Sequence, residues 1–167
     1  MRDDDPAAVP FDPERDLRLE RQMAVPPEAV WRCWTEPELI CRWFTPKPVE
    51  TVRAEMVAAP GGAFTTVMRI PDQGEMEGTG CVLVAQPARR LVWTSALAPG
   101  FRPVPPPEPG AFVFSADVRM RAIEGGCAYE VIVRHLAPED AQAHEAMGFT
   151  TGWGTAAAQL EEVARGL

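Results

Sequence analysis

The chain has few basic residues for its size. Its 16 Lys and Arg side chains stand against 24 Asp and Glu, which gives a net charge of -8 at pH 7. A negative protein repels the phosphate backbone of nucleic acids and the anionic headgroups of lipid surfaces. The composition therefore argues against nucleic acid and membrane surfaces as partners.

Targeting signals and membrane-spanning segments are also missing from the sequence. The first six residues (MRDDDP) carry a net negative charge, whereas a secretory signal peptide begins with a basic segment. No uninterrupted apolar run reaches the roughly 20 residues that cross a bilayer as a helix. We therefore expect a cytoplasmic protein.

Metal and redox motifs are absent as well. The four cysteines, Cys33, Cys41, Cys81 and Cys127, are widely spaced, and none lies in the C-x-x-C arrangement typical of zinc sites and redox pairs. Only two histidines are present, and their separation by nine residues is not a recognised metal-ligand spacing. We predict reduced thiols, no metal and no cofactor.

The apolar content is sufficient for one folded domain. Hydrophobic residues make up 46% of the 167 positions, and a chain of this length can bury roughly 70% of its unfolded surface in one core. Residues 1–13 hold acids and prolines without a periodic apolar pattern, which predicts a flexible lead-in. The domain itself is predicted to span residues 14–167.

Up to residue 135, apolar periodicity predicts one strand, two short helices and six further strands. The first strand is predicted over residues 15–25, and prolines favour helix starts for the segments 26–34 and 35–43. From residue 49 onward, strand patterns alternate with turn sequences rich in glycine and proline. The six predicted strands cover residues 49–58, 62–70, 76–86, 89–97, 111–123 and 126–135.

One long loop and one long helix complete the prediction. Residues 98–110 are rich in proline and glycine and indicate a loop that could act as a lid. Residues 138–165 predict a helix with one apolar stripe, formed by Phe149, Trp153, Ala156, Leu160 and Val163. Gly148, Gly152 and Gly154 lie inside this predicted helix, where each costs about 1 kcal/mol relative to alanine. Close approach of the helix to the sheet, or room for a ligand, would explain them.

The order of elements is typical of an α+β fold, with helices segregated from an antiparallel sheet. The sequence also resembles a known family along most of its length. The segment 30–44 (VWRCWTEPELICRWF) is similar to the family's opening W-T-x-P-x-x-x-x-x-W signature. Later similarities fall at residues 60–62 (PGG), 67–72 (VMRIPD), Gly78, 90–94 (RLVWT), 144–149 (HEAMGF), Gly152, Trp153 and Leu160.

On these motifs the chain is identified as a member of the START-like (SRPBCC) superfamily, of the type homologous to the activator of the heat-shock protein 90-kDa ATPase. The resemblance implies a helix-grip fold, in which a curved sheet of about seven strands, two short helices and a long C-terminal helix enclose a cavity. It further implies binding of lipids, polyketides or other hydrophobic small molecules there. The matched positions are turn glycines and core residues, so no catalytic residue is carried over.

Large, adaptable side chains provide the predicted ligand site. Aromatic rings and methionines can line an apolar pocket, and a histidine can hydrogen-bond a ligand or act as a base near neutral pH. The residues predicted to bind the ligand are Trp43, Phe64, Met68, Met76, Trp93, Phe112, Phe114, His135, His144, Met147 and Trp153. Core packing would also explain the apolar members, and a polar position at the end of an element would also explain the histidines.

Three functions remain open from the sequence. The first is binding of a lipid-like, polyketide-like or aromatic molecule, with Arg69 or Glu55 as further polar contacts. The second is a cyclase or hydrolase type of enzyme that uses a pocket histidine. The third is a co-chaperone or protein-interaction module acting in the stress response, which needs an exposed apolar patch. A homodimer is considered, and Glu75 and Glu77 are interpreted as solvated edge charges.

Overall fold

The computed structural model describes residues 9–167, and an antiparallel sheet forms its centre. The main strands are β1 (Asp16–Met23), β2 (Glu50–Met56), β3 (Ala63–Ile70), β4 (Gly74–Gln86), β5 (Arg90–Thr94), β8 (Phe114–Ile123) and β9 (Gly126–His135). They lie in the order β1-β9-β8-β5-β4-β3-β2. All seven predicted strands are present, and their ends fall within three residues of the expected positions.

A short ribbon interrupts the predicted loop at residues 98–110. Strands β6 (Leu97–Ala98) and β7 (Arg102–Pro103) pair antiparallel and form a second, two-stranded sheet. The amide of Gly100 donates a hydrogen bond to the carbonyl oxygen of Gly61 at 2.8 Å, which ties the tip of this ribbon to the connection between β2 and β3. The segment is therefore partly regular, and its predicted role as a lid stays a prediction.

Four helices cover one face of the sheet: α1 (Pro27–Thr35), α2 (Pro37–Trp43), α3 (Pro138–Ala146) and α4 (Phe149–Arg165). Proline occupies the first turn of α1, α2 and α3, where its missing N–H breaks no helical hydrogen bond. Helices α1 and α2 pack against α4, and α2 also packs against β2. No helix within residues 9–167 is long and apolar enough to cross a membrane.

The predicted single helix over residues 138–165 is wrong in one respect, because it is broken between α3 and α4. Gly148 has a φ of 96° and immediately precedes α4. A left-handed conformation of this kind is strained for residues with a side chain, which explains glycine at this position. Gly152 and Gly154 do lie within α4 as expected. An added Cβ would be 3.9 Å from Pro46 at Gly152 and would meet nothing within 4 Å at Gly154, so close approach to the sheet explains neither glycine.

The main core lies between the inner face of the sheet and the helices. The predicted stripe of α4 is buried at Phe149, Ala156, Leu160 and Val163, while Trp153 is half-buried. Strand β8 contributes Ala116, Val118 and Met120 from its predicted inner face. Hydrophobic burial of this kind supplies most of the stability of such a domain.

The outer face of β8 is less solvated than the alternation predicts. The alternation of apolar and polar residues over 112–122 predicts that Asp117 faces water, but its side chain is only 1% exposed. Its carboxylate accepts hydrogen bonds from the guanidinium groups of Arg90, Arg119 and Arg134 at 2.9–3.3 Å. A buried charge requires such partners, because desolvation without them is unfavourable by several kcal/mol.

The N-terminal segment lies against this outer face. Residues 1–8 of the predicted lead-in fall outside the described residues. The carbonyl oxygen of Val9 accepts a hydrogen bond from Arg134 at 3.2 Å, and the guanidinium carbon of Arg18 lies 4.3 Å from the centre of the Phe11 ring. Where the flexible lead-in ends and the domain begins stays a prediction.

Candidate functional site

A continuous row of aromatic side chains crosses the interior between helices and sheet. Trp34 of α1 and Trp43 of α2 lie edge to face, with 4.8 Å between ring centroids. Phe64 of β3 is 6.2 Å from Trp34 and 4.8 Å from Trp93 of β5, and Trp93 is 5.5 Å from Phe114 of β8. We call these five rings the aromatic row. Its members Trp34, Trp43 and Phe64 are almost completely buried, so this half of the interior is packed core.

The row ends at a pair of buried histidines. His135 is the last residue of β9, and His144 lies in the last turn of α3; their exposed fractions are 7% and 8%. Nε2 of His135 lies 2.9 Å from Nδ1 of His144, and Nδ1 of His135 lies 2.9 Å from the carbonyl oxygen of Arg15. These hydrogen bonds connect the residue before β1, the end of β9 and α3.

The two hydrogen bonds decide which nitrogen of each neutral ring carries the proton. A carbonyl oxygen only accepts, so Nδ1 of His135 donates to Arg15, and Nε2 of His135 is left as an acceptor. Nδ1 of His144 then donates to this Nε2, which leaves Nε2 of His144 without a proton. Within residues 9–167, this last nitrogen has no hydrogen-bond partner.

Nε2 of His144 belongs to a buried side chain but is not completely sealed from solvent. Only two described side-chain nitrogen or oxygen atoms are both sealed from solvent and unpartnered, and they belong to Trp93 and Arg134. The free Nε2 is therefore not sealed. Burial, and to a smaller extent the neighbouring His135, lower the pKa of His144 from 6.5 to about 4, while Glu145 acts in the opposite direction. At pH 7 the ring is neutral, so its Nε2 can accept a hydrogen bond but is a weak base.

Four aromatic rings surround the imidazole of His144. The distances between ring centroids are 5.0 Å to Phe112, 5.1 Å to Phe114, 5.2 Å to Phe149 and 6.1 Å to Trp153. Phe112, Phe114 and Trp153 are only half-buried, unlike the rings at the other end of the aromatic row. We call this group the histidine site, which consists of His135, His144, Phe112, Phe114, Phe149 and Trp153.

The indole N–H groups of three buried tryptophans differ in their pairing. Trp34 donates to the hydroxyl of Tyr129 at 3.2 Å, and Trp43 donates to the carbonyl oxygen of Cys33 at 2.8 Å. The indole nitrogen of Trp93 is sealed from solvent and has no partner among the described residues. An unpaired buried donor costs about 1–3 kcal/mol, and such groups are rare in folded proteins.

Trp93 lies next to the histidine site. Its ring and that of His144 both contact Phe114, at 5.5 and 5.1 Å between centroids. The residue with the unpaired donor and the residue with the unpaired acceptor therefore contact the same phenylalanine. This combination of apolar rings with a few polar groups is typical of sites for small molecules.

Two cavities lie elsewhere in the molecule. One of about 380 Å³ lies among β2, β3 and β4 and includes Glu55, while the other, of about 560 Å³, lies between α2, the start of β2 and Gln159 of α4. Glu55 was predicted as a further polar contact, but none of the eleven residues predicted to bind the ligand lines either cavity. The enclosed central cavity expected from the sequence is neither of these two and stays a prediction; the rings of the aromatic row lie 4.8–6.2 Å apart in the interior between helices and sheet.

The structure brings together most of the predicted ligand-binding residues, but not the methionines. Eight of them belong to the aromatic row or the histidine site: Trp43, Phe64, Trp93, Phe112, Phe114, His135, His144 and Trp153. Met68 is half-buried opposite Met76 in the β3–β4 pair, Met76 is 52% exposed and Met147 is 77% exposed. The spacing of apolar residues predicts which face of a strand or helix is buried, but it does not predict which end of the element lies near the ligand site.

Three rings and one backbone group of this region were not among the residues predicted to bind the ligand. Trp34 and Phe44 were noted only within the family signature at residues 30–44, and Phe149 was noted in the apolar stripe of the last helix. Phe44 lies 5.4 Å from Phe64. The aromatic character of these three residues was the available signal. The carbonyl oxygen of Arg15 carried no signal, because any residue has one.

The other polar candidates lie away from the histidine site. Arg69 forms an ion pair with Glu75 at 3.1 Å, and Arg53 forms one with Glu77 at 3.2 Å; all four side chains are more than half exposed. Within the described part of the chain, no cluster of His, Cys, Asp and Glu could hold a metal ion. All four cysteines are free thiols, and burial raises the pKa of Cys33 to about 11.

The architecture is that of a helix-grip domain of the START-like type. An antiparallel sheet packs around a C-terminal helix, and two short helices follow the first strand. Residues 24–165 match the family model described as "Activator of Hsp90 ATPase homolog 1-like protein". The chain belongs to this family, and both the fold class and the resemblance seen in the sequence are confirmed. No curated protein matches the chain.

Solved structures with the same fold cover nearly the whole chain. A protein from Nitrosomonas europaea is 40% identical, with a TM-score of 0.88 over 93% of this chain and 97% of that one. A protein from Rhodobacter sphaeroides is 21% identical, with a TM-score of 0.76 over 92% and 94%. The AHSA1-like protein from Aeromonas hydrophila is 18% identical, with a TM-score of 0.65 over 90% and 92%, and this likeness concerns the fold alone.

Proposed function

We propose that this protein binds a small hydrophobic molecule of aromatic character at the histidine site. The observation that carries the proposal is the group of half-buried rings of Phe112, Phe114 and Trp153 around the unpaired Nε2 of His144. Fully packed core rings gain nothing from a ligand, whereas half-buried rings still have apolar surface to remove from water. Each Å² removed contributes roughly 25 cal/mol to binding before other terms are counted.

The unpaired indole N–H of Trp93 supports the same proposal. A ligand with an acceptor oxygen next to Phe114 would satisfy this donor and remove its desolvation penalty. The resulting gain is available only to a bound molecule, since the described residues offer no partner. The ligand is therefore expected to be mostly apolar, with few polar atoms.

Entry of the ligand requires α3 to move. This helix has only two buried residues, Ala141 and His144, and its C-terminal end adjoins the left-handed Gly148. Few buried contacts make an element easier to displace than the strands of the sheet. Displacement of α3 would open the space between Phe112 and Trp153 without disrupting the aromatic row.

A fluorescent apolar probe tests this proposal. N-phenyl-1-naphthylamine is titrated into the wild-type protein and into Phe112→Ala and Phe101→Ala variants. Phe112 lies 5.0 Å from His144, whereas Phe101 is 51% exposed and belongs to the turn of the β6–β7 ribbon. We expect saturable binding that Phe112→Ala weakens about tenfold and that Phe101→Ala leaves unchanged. Equal affinity in all three proteins would refute binding at the histidine site.

Native mass spectrometry gives an independent measurement. The freshly purified protein is expected to carry a co-purified mass of a few hundred daltons that is reduced in the Phe112→Ala variant. Extraction and mass analysis would then identify the natural ligand.

An enzyme of the cyclase or hydrolase type is the second candidate, because the histidine pair is oriented. The carbonyl oxygen of Arg15 fixes His135, and His135 fixes His144, as a positioned base would require. The lowered pKa of His144 makes it a weak base at pH 7, which favours binding over proton abstraction. Turnover of a hydroxylated aromatic ester that is lost in His144→Phe would establish the enzyme.

A co-chaperone role is supported by two exposed apolar side chains near the same end of the fold. Leu136, which follows β9, is 80% exposed, and Met147, which follows α3, is 77% exposed. The family description refers to activation of an ATPase, which is the activity to measure. Stimulation of a chaperone ATPase that is lost in a Leu136→Ser, Met147→Ser variant would establish this role. A cytoplasmic location and a homodimer stay predictions.

A further inference from the structure

We infer that the ligand of the histidine site carries a hydroxyl group on a planar aromatic ring, and that this hydroxyl donates a hydrogen bond to Nε2 of His144. The inference rests on the proposed function and specifies its ligand class. The ligand class follows from the direction of the hydrogen bonds at His135 and His144 and from the rings around His144.

The acceptor character of His144 is imposed by the backbone. The carbonyl oxygen of Arg15 lies 2.9 Å from Nδ1 of His135 and also accepts the backbone N–H of His135 at 3.2 Å. A neutral His135 therefore presents a lone pair at Nε2, and His144 must turn its own N–H toward it. A carbonyl-bearing ligand would find no donor at His144, whereas a hydroxyl would find an acceptor.

The neighbouring rings limit the ligand to a flat shape. Phe112 and Phe114 are tilted by 41° and 39° to the imidazole, while Phe149 and Trp153 lie nearly edge-on at 75° and 71°. A planar ring that packs against the exposed parts of Phe112, Phe114 and Trp153 gains face and edge contacts of this kind. A branched aliphatic alcohol of the same size would lose these contacts.

No other described group competes for this nitrogen. The charged residue nearest in sequence is Glu145, whose carboxylate accepts a hydrogen bond from the hydroxyl of Thr150 at 2.8 Å and is exposed. His135 uses both of its ring nitrogens, toward Arg15 and His144. Within residues 9–167, Nε2 of His144 is thus an unpaired acceptor in an aromatic surrounding, and the unpaired donor nearby is the indole N–H of Trp93.

The test compares two probes that share a naphthalene ring and an oxygen atom, which carries a donor hydrogen in one probe and a methyl group in the other. The dissociation constants of 2-naphthol and 2-methoxynaphthalene are measured by NMR titration of the full chain at pH 7. A hydrogen bond to an otherwise unpaired acceptor predicts that 2-naphthol binds about fivefold to tenfold more tightly. In the His144→Phe variant, which keeps a ring but removes the acceptor, the ratio of the two dissociation constants should fall to about one, whatever the absolute affinity of either probe.

A measurement on the wild-type protein removes dependence on the variant's folding. Long-range ¹H–¹⁵N spectra of the imidazoles report which nitrogen carries the proton. Nε2 of His144 should be unprotonated in the free protein, and its signal should shift on adding 2-naphthol but not 2-methoxynaphthalene. His135→Phe, which removes the positioning ring, should abolish the fixed tautomer and the preference for naphthol together.

The outcomes separate this inference from the proposed function. If both probes bind wild-type protein equally, or if the preference survives in His144→Phe, aromatic binding stands and the hydroxyl assignment is overturned. If neither probe binds, the proposed function and the inference both fall. A protonated Nε2 of His144 in the free protein would also overturn the inference.

Discussion

Removal of the Asp117 charge is predicted to destabilise the fold strongly. The substitution Asp117→Asn preserves the volume of a side chain that is 1% exposed. It removes the negative charge that faces the guanidinium groups of Arg90, Arg119 and Arg134. Three cations would then lie together around a neutral amide that cannot accept all of their hydrogen bonds.

The expected loss follows from the burial of these groups. Breaking a buried ion pair by removing one partner costs about 3–5 kcal/mol. Arg90 and Arg134 are shielded, with 14% and 19% of their side chains exposed, but Arg119 is 33% exposed and has Glu130 at 3.9 Å as a second partner. We therefore expect the free energy of unfolding to fall by about 3 kcal/mol, near the lower end of that range.

Urea denaturation followed by tryptophan fluorescence at pH 7 measures this change. Glu77→Gln is the matched control, because it also neutralises one carboxylate of an ion pair. Glu77 is 56% exposed and Arg53 72%, so this control should lose less than about 1 kcal/mol. A loss below about 1 kcal/mol for Asp117→Asn would show that the outer-face network does not stabilise the fold as argued.

The same carboxylate should make stability depend on pH. Burial raises the pKa of Asp117, but the hydrogen bonds from Arg90 and Arg119 outweigh it and lower the pKa from 3.8 to about 2. The folded state therefore favours the ionised form. Its contribution is present above about pH 4 and is lost as the pH falls to about 2, amounting to about 2 kcal/mol at most. The difference between wild type and Asp117→Asn should shrink over this range.

Three further predictions concern the site and its supports. Because the pKa of His144 is lowered to about 4, its protonation opposes folding, so stability should fall by at most about 3 kcal/mol between about pH 6.5 and 4. Urea titrations at several pH values should show a weaker decline in the His144→Gln variant. An equal decline in both proteins would refute the assignment of this pH dependence to His144. Gly148→Ala should destabilise the fold by about 1–2 kcal/mol, because the backbone φ at this position is 96°. Gly154→Ala should stabilise the fold by about 0.5–1 kcal/mol, because alanine favours a helix and the added methyl meets nothing within 4 Å. Thermal unfolding of both variants checks these opposite signs. Tyr129→Phe should cost about 1–3 kcal/mol, since it leaves the indole N–H of buried Trp34 unpaired; an unchanged melting temperature would contradict this.

The fold was predictable because local signals agreed with one another. Turn sequences such as Pro60-Gly61-Gly62 separated strands with clear alternation, and prolines marked the starts of α1 and α2. The helix break was missed, because a glycine between two helical patterns looks the same whether it continues the helix or ends it. Only the left-handed backbone of Gly148 distinguishes the two cases.

The candidate site was predicted by residue type more than by geometry. Phe112, Phe114 and Trp153 were expected to face inward, but the pattern could not show that they would remain half-buried. Met76 and Met147 were expected at the same site, yet they lie 52% and 77% exposed. Alternation and helical spacing define a face of an element and contain no information about which neighbours cover it.

The sequence by itself determined the strand order along the chain, the two proline-led helices, the apolar stripe of the last helix and the family to which the chain belongs. These follow from local conformational preferences and periodicity, which act within a few residues. Only the tertiary structure decided that His135 and His144 would meet, and that Asp117 would be enclosed by arginines from three strands. The physical reason is that these contacts join different elements, such as β9 with α3 and β8 with β5, whose relative positions are fixed only when the sheet and the helices pack together.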